Sequence, residues 1–145
     1  MIPKILRFDF LAGYKEYAPL FIRLLVGSFI IWGVQDNIFS AAHMAEFEQF
    51  LAQRGVPVPA FAARLSVYAQ FICGLSILLG GLVRLTSVVM IINFIAAIII
   101  AHRGDTFRGM FAALMMIAVA LFFLLHGAGR LSVDEWLERR AGKSV

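Results

Sequence analysis

Four long stretches almost free of charge dominate this chain, and they limit what it can fold into. Residues Leu65 to Val83, Leu85 to His102 and Gly109 to Gly129 contain no Asp, Glu, Lys or Arg, and between Glu16 and Asp36 the only charge is Arg23. A helix crosses the hydrocarbon layer of a bilayer with about 20 largely apolar residues, so each stretch is long enough to span. Composition agrees: 61% of the 145 residues are hydrophobic and 15% charged, against about 45–50% and 25% for a soluble domain. A chain this small buries only about two thirds of its unfolded surface. The excess apolar surface must therefore meet lipid.

The predicted architecture is an all-α membrane protein forming one transmembrane domain over 1–145, a four-helix bundle with spans at about 18–38, 60–81, 83–102 and 107–127. Pro19 and Pro59 stand where a first helical turn tolerates proline, and Gly80-Gly81 with Arg84 makes a tight hairpin between spans two and three. No ten-residue segment alternates polar and apolar as a barrel wall requires. Two further helices are expected at the membrane surface. In 41–54, Met44, Phe47, Phe50 and Leu51 recur at helical spacing, with Ser40 as cap and Gly55 as stop. In 132–140, Ser132-Val-Asp-Glu135 forms a capping box.

Orientation follows from loop Lys and Arg. Nine of the 13 basic residues fall on the side of the termini: Lys4, Arg7, Lys15, Arg23, Arg84, Arg130, Arg139, Arg140 and Lys143. Both termini are predicted to be cytoplasmic, which implies a multi-pass protein of the bacterial inner membrane. The N-terminal residues show no Ala-x-Ala cleavage site, so no removable signal peptide is expected. The basic residues are too scattered to track a nucleic acid. With Cys73 as the sole cysteine, an intrachain disulfide and a cysteine-ligated metal are excluded.

Polar side chains inside the spans are the candidates for function, because an unpaired charge at mid-helix costs roughly 2.5–3.5 kcal/mol on insertion scales. Asp36 and Arg64 have opposite signs at matching depth, which predicts either an ion pair near the outer interface or independent snorkelling of Arg64; Arg23 is read as snorkelling at the other end. Gln70 and Asn93 lie near the middle of spans two and three, as glue between helices or facing a ligand. Gln70 shares its face with Ser66, Cys73, Gly74 and Ile77, a strip that admits a neighbouring backbone or a flat ring. His102 and His126 end spans on opposite sides, too far apart to share a haem. His43 with Glu46 and His102 with Asp105 have one-turn spacing, but such pairs are common by chance, and no metal site is assigned. Arg23, Arg84 and Arg130 form a basic girdle with Glu16, Asp134 and Glu135 as counter-charges, read as anchoring or as capture of an anionic group or partner. No nucleophile motif or phosphate loop is present, so no catalytic residue is identified.

The order and spacing of several short pieces resemble a known family. Arg23-Leu-Leu-Val-Gly27 with Gly33, then Gly55-Val-Pro57-Val-Pro59, then Gly74 and Leu78-Leu-Gly-Gly-Leu-Val-Arg84, then Gly127-Ala-Gly-Arg-Leu-Ser-Val-Asp134 look like the DoxX family of small bacterial membrane proteins. That resemblance implies a four-helix membrane bundle. It also implies association with membrane redox systems: thiosulfate–quinone oxidoreduction, redox complexes, and catechol or quinone stress. Many members carry a lysine near the end of helix one and a glutamate in helix two. Asp36 and Gln70 stand near those places here, which points to a sub-branch whose polar set is Asp36, Gln70, Asn93 and His102.

The functional expectation is a redox-associated accessory subunit that contacts a quinone-like molecule or a redox partner protein; the alternative is a non-catalytic scaffold or assembly factor. The candidate ligand-binding residues are Asp36, Arg64, Gln70, Asn93 and His102. A quinone is the only cofactor class implied, and a transporter reading would require homo-oligomerisation to build a pore.

Overall fold

The computed structural model describes residues 7–142. A short 3-10 segment, Asp9–Tyr17, leads into α1 (Ala18–Phe39), followed by α2 (Ala41–Gln53), α3 (Pro59–Leu79), α4 (Val83–Ile100), α5 (Phe107–His126) and α6 (Val133–Arg140). Among the described residues there is no strand. Among the described residues, four helices are long and apolar enough to cross a membrane: α1 with the segment before it, α3, α4 and α5. The four α-helices begin and end within two residues of the spans read from the sequence, and the 3-10 segment lengthens the first of them back to Asp9. The largest differences are at the C-terminal ends of α3 and α4. Gly80, at φ 74°, stops α3 in the left-handed region that glycine enters freely, and α4 gives way to a turn at Ala101 ahead of His102.

α1 packs chiefly along α3 and α4 along α5, and the α3–α4 hairpin joins the two pairs. The first crossing is close because both surfaces are bare: a Cβ on Gly27 would stand 2.9 Å from the Gly74 carbonyl oxygen and from Leu78 N. Small residues let membrane helices approach to backbone contact, where dispersion and weak polar contacts replace a hydrophobic driving force. The strip beside Gln70 is therefore filled, at Gly74, by the α1 backbone.

Two apolar clusters result. One, nearer the termini, gathers Val26, Ile30, Ile77, Val83, Met90 and Phe123. The other, at the far end, gathers Val34, Met44, Leu51, Ala63 and Val67. The second contains α2, whose apolar face turns onto α3 and α1 and not toward lipid. Ser40 caps α2 by accepting from His43 N at 3.4 Å, and Arg54 donates to the Ala101 carbonyl at 2.7 Å. A cation on the carbonyl end of α4 is also favoured by that helix's dipole.

Facing outward are Phe21, Leu25, Ile72, Ile92, Ile99 and Leu125, each more than 60% exposed in the isolated chain. Residues of this kind distributed around four spans make a surface suited to a bilayer and unsuited to water.

Candidate functional site

At the end of the bundle that carries the termini, the structure overturns the snorkelling expected of Arg23. Its side chain is 1% exposed and turns inward, Nη1 donating to the Ala128 carbonyl at 2.9 Å and Nη2 to the Leu131 carbonyl at 2.8 Å. These carbonyls belong to the 127–132 loop, which turns sharply at Gly127, Gly129 and Leu131, all at positive φ. Loop carbonyls exposed by such turns need donors, and a guanidinium fork offers two at once.

The same junction caps α4. Leu82 precedes that helix in the left-handed region with no cap of its own, and Asp134 of α6 supplies the missing acceptor, taking Leu82 N at 2.7 Å and Val83 N at 3.1 Å. Gly80 O accepts from Asp134 N at 2.9 Å. Asp134 and Glu135, read as general counter-charges, thus serve particular backbone amides. Glu135 Oε2 accepts from Leu131 N at 2.9 Å, and Ser132 Oγ caps α6 by accepting from Glu135 N at 3.1 Å. Leu82 and Leu131, two non-glycine residues in the left-handed region, are held there by these acidic side chains.

Arg23, Arg84 and Arg130 do not form one girdle. Arg23 is withdrawn into the fold, Arg84 lies beside Gly127, and Arg130 sits against Tyr17, its Cζ 5.6 Å from the ring centre.

This junction should respond to acid. Partial burial pushes the Glu135 carboxyl up, but the hydrogen bonds from Arg139 and Leu131 N and the charges of Arg139 and Arg130 outweigh it and hold the pKa below the ordinary glutamate value. A carboxylate with a depressed folded pKa contributes stability that is present above its unfolded pKa and is lost as pH falls through the folded one. The bond from Leu131 N to Glu135 should therefore weaken as acid protonates the carboxylate, and the protection factor of that amide, its exchange relative to the intrinsic rate at each pH, should fall with it. Glu135→Ala, which removes the acceptor, should leave the Leu131 amide with little protection already at neutral pH. A Leu131 protection factor unchanged from pH 7 to pH 3 in the parent protein would contradict this.

Deeper in the bundle, Gln70 and Asn93 are joined through Ser66. Gln70 Nε2 donates to Ser66 Oγ at 3.1 Å, and Ser66 Oγ donates to Asn93 Oδ1 at 2.8 Å. This three-residue thread ties α3 to α4, as the glue reading expected. Gln70 also borders a cleft of about 180 Å³ between α1, α3, α4 and α5. Its walls include Phe29, Ile30 and Gly33 of α1, Phe94 of α4 and Ala113 of α5, with His102 beyond the end of α4. His102 Nδ1 lies 2.9 Å from Asp105 Oδ2, so the one-turn pair is real. His102 and His126 stand at opposite ends of the bundle.

The proposed partnership of Asp36 with Arg64 is not formed: Arg64 Nη2 instead meets Glu48 Oε1 at 2.9 Å. Matching depths on α1 and α3 left out α2, which folds back onto α3 and brings Glu48 within reach. Asp36 is exposed at the far end of α1. Of the five candidates, the structure thus gathers Gln70 and Asn93 into one thread, brings Gln70 and His102 to one cleft, and leaves Asp36 and Arg64 outside it. Among the described residues no three His, Cys, Asp or Glu side chains are arranged to hold a metal ion.

Comparison with known proteins adds a decisive observation. The family model described as DoxX matches residues 18–103, which takes in α1 to α4, the cleft residues Gln70 and His102, and Arg23. The chain belongs to the DoxX family. It is also 32% identical over 136 aligned residues to the uncharacterised membrane protein Rv3486 of Mycobacterium tuberculosis, the match covering 83% of this chain and 81% of that one. No solved structure matches. This DoxX-family chain is accordingly a multi-pass integral membrane protein. The matched segment ends before α5 and α6, so the loop and helix that close the Arg23 junction lie outside it. The sequence reading had missed the burial of Arg23 and the Arg54 bond to α4. Both arginines bond to backbone carbonyls far along the chain, and such partners leave no residue-type signal.

Proposed function

We propose that this protein is a membrane accessory subunit of a redox system and that its cleft holds one ring of a quinone-like molecule. The supporting observation is the cleft at Gln70 and His102: about 180 Å³ is slightly more than the roughly 150 Å³ apolar cavity that admits benzene. A few polar groups on an otherwise apolar wall are the usual composition of a small-molecule site. Gln70 offers an amide whose nitrogen is already oriented by Ser66. With Nδ1 donating to Asp105 Oδ2, the second ring nitrogen of His102 remains to accept from a ligand hydroxyl, the group that the reduced, quinol form of such a ring presents. The redox association that the DoxX resemblance implies gives the ring its chemical class.

Purified protein in lipid nanodiscs should bind a short-chain ubiquinone analogue, and Gln70→Leu should weaken that binding about fivefold or more, the expected loss for one hydrogen bond to a buried polar ligand atom. Equal binding by the parent protein and the variant would remove Gln70 from the reading.

The scaffold reading retains one surface. The apolar face of α2 is committed to the bundle through Met44 and Leu51, whereas Trp136 and Leu137 of α6 remain about half exposed. We further infer that both termini face the cytoplasm and that the membrane is the bacterial inner one. With Arg23 withdrawn, the terminal side still carries eight basic residues against four.

A further inference from the structure

Beside the Arg23 junction, and separate from the cleft, a groove of about 740 Å³ runs between the end of α3, the 127–132 loop and α6. That volume lies within the usual range of small-molecule sites, about 300–1,000 Å³. One part is apolar: Leu79, the last residue of a membrane-crossing helix, and Leu131 are 55% and 63% exposed and face no neighbour that covers them. The other part is cationic. Arg130 forms no ion pair among the described residues and rests against Tyr17. Arg139 uses Nη2 on Glu135 at 2.7 Å. Arg140 stacks its guanidinium 3.9 Å above the Trp136 ring.

The acidic groups nearby are otherwise engaged. Asp134 accepts from the α4 amides, Glu16 faces His126 at 3.6 Å, and Glu135 is held by Arg139 and Leu131 N. Two guanidiniums, Arg130 and Arg139, thus line the groove against the one carboxylate of Glu135, while Arg140 and Glu138 of the same helix do not line it. Tyr17 and Trp136 are aromatic residues of the kind that settle at headgroup level.

We propose that this groove binds an anionic phospholipid, its phosphodiester between Arg130 and Arg139 and the start of its acyl chains along Leu79 and Leu131. The charge surplus selects an anion over a zwitterion. The apolar half, continuous with the lipid-facing end of α3, selects an amphiphile over a free phosphate or a soluble peptide. Basic pockets beside membrane helices hold acidic lipids by the same combination of charge and apolar contact.

Trp136 gives a direct readout, since Trp32 is the only other tryptophan and can be replaced by phenylalanine. The full-length protein carrying Trp32→Phe is placed in nanodiscs with phosphatidylglycerol or phosphatidylcholine brominated in the acyl chain, and quenching of Trp136 gives their relative affinity at the groove. A preference for phosphatidylglycerol of about fivefold or more is expected, from about 1 kcal/mol per arginine near the surface. It should fall to near parity with Arg130→Gln and Arg139→Gln together. Arg130→Gln alone, which leaves the Arg139–Glu135 pair intact, should remove part of it and covers the case in which the double variant does not fold. Arg103→Gln with Arg108→Gln, at the other end of the bundle, should leave it unchanged. Several results would overturn the proposal: no preference in the starting protein, a preference that survives both groove substitutions, an equal loss from the distant pair, its removal by inorganic phosphate, or a co-purifying protein that shields Trp136 from both lipids.

Discussion

Replacing Arg23 by leucine is expected to cost about 3 kcal/mol or more and to release the 127–132 loop. Hydrogen bonds to a charged group contribute roughly 1.5–3 kcal/mol each, and Arg23 makes two, to Ala128 O and Leu131 O. The leucine would leave both carbonyls without their donor. Loss of the anchor reaches further than the loop: α6 follows it directly, and α6 supplies Asp134 to the first amides of α4. Arg23→Lys should recover only part of the loss, because one ammonium cannot reproduce a fork aimed at two separated carbonyls. Thermal unfolding in detergent measures the stability. Trp136 fluorescence, in the Trp32→Phe background, reports whether α6 has come away. An Arg23→Leu protein as stable as the parent, with an unchanged Trp136 spectrum, would show that the buried arginine is not what holds this end closed.

Gly27→Leu should have a similarly large effect through packing. Any side chain there would have its Cβ 2.9 Å from Gly74 O and Leu78 N, and these are backbone atoms that cannot rotate aside. α1 and α3 would have to separate along the most extensive helix–helix packing among the described residues. Overpacking a close-packed interior costs about 1–3 kcal/mol, occasionally more; separation of two spans places this case at the upper end. Gly33→Leu, six residues along the same helix, is the matched control. A Cβ at Gly33 meets nothing within 4 Å, so its stability should stay close to that of the parent. A Gly27→Leu protein that unfolds with Gly33→Leu would refute the close approach.

The contrast between these glycines shows where a sequence informs and where it does not. The spans were legible because bilayer thickness sets their length and Pro19, Pro59, Gly80 and the charged turns mark their ends. The α2 register was legible because Met44, Phe47, Phe50 and Leu51 recur with the helical period. Gln70 and Asn93 were legible as polar groups in hydrocarbon; Ser66 was legible only as a small residue on the face of Gln70, and the hydroxyl link it makes between the two amides was not. Arg23 was not: near a helix end, an arginine that snorkels and one that bonds inward to Ala128, 105 residues away, look the same in a string of letters. Arg64 was misassigned for a different reason. Depth along the membrane normal was the only coordinate available, and two groups at one depth can lie on opposite sides of a bundle. The fold back of α2, which brings Glu48 to Arg64, is set by packing of an apolar face on α3, a long-range choice that helical periodicity alone does not specify.

The central claim is that the cleft between α1, α3, α4 and α5 takes a single ring, and Gly33→Leu tests it without disturbing the rest. Gly33 lines the cleft, and a leucine there would occupy a large share of its roughly 180 Å³. The measurement is binding of the short-chain ubiquinone analogue to Gly33→Leu and parent protein in the same nanodiscs, with thermal stability recorded for both. The account predicts binding to the parent, a loss of about tenfold or more in Gly33→Leu, equivalent to about 1.4 kcal/mol, and an unfolding temperature close to that of the parent. Undiminished binding to a stable Gly33→Leu protein, or no binding to the parent, would contradict it.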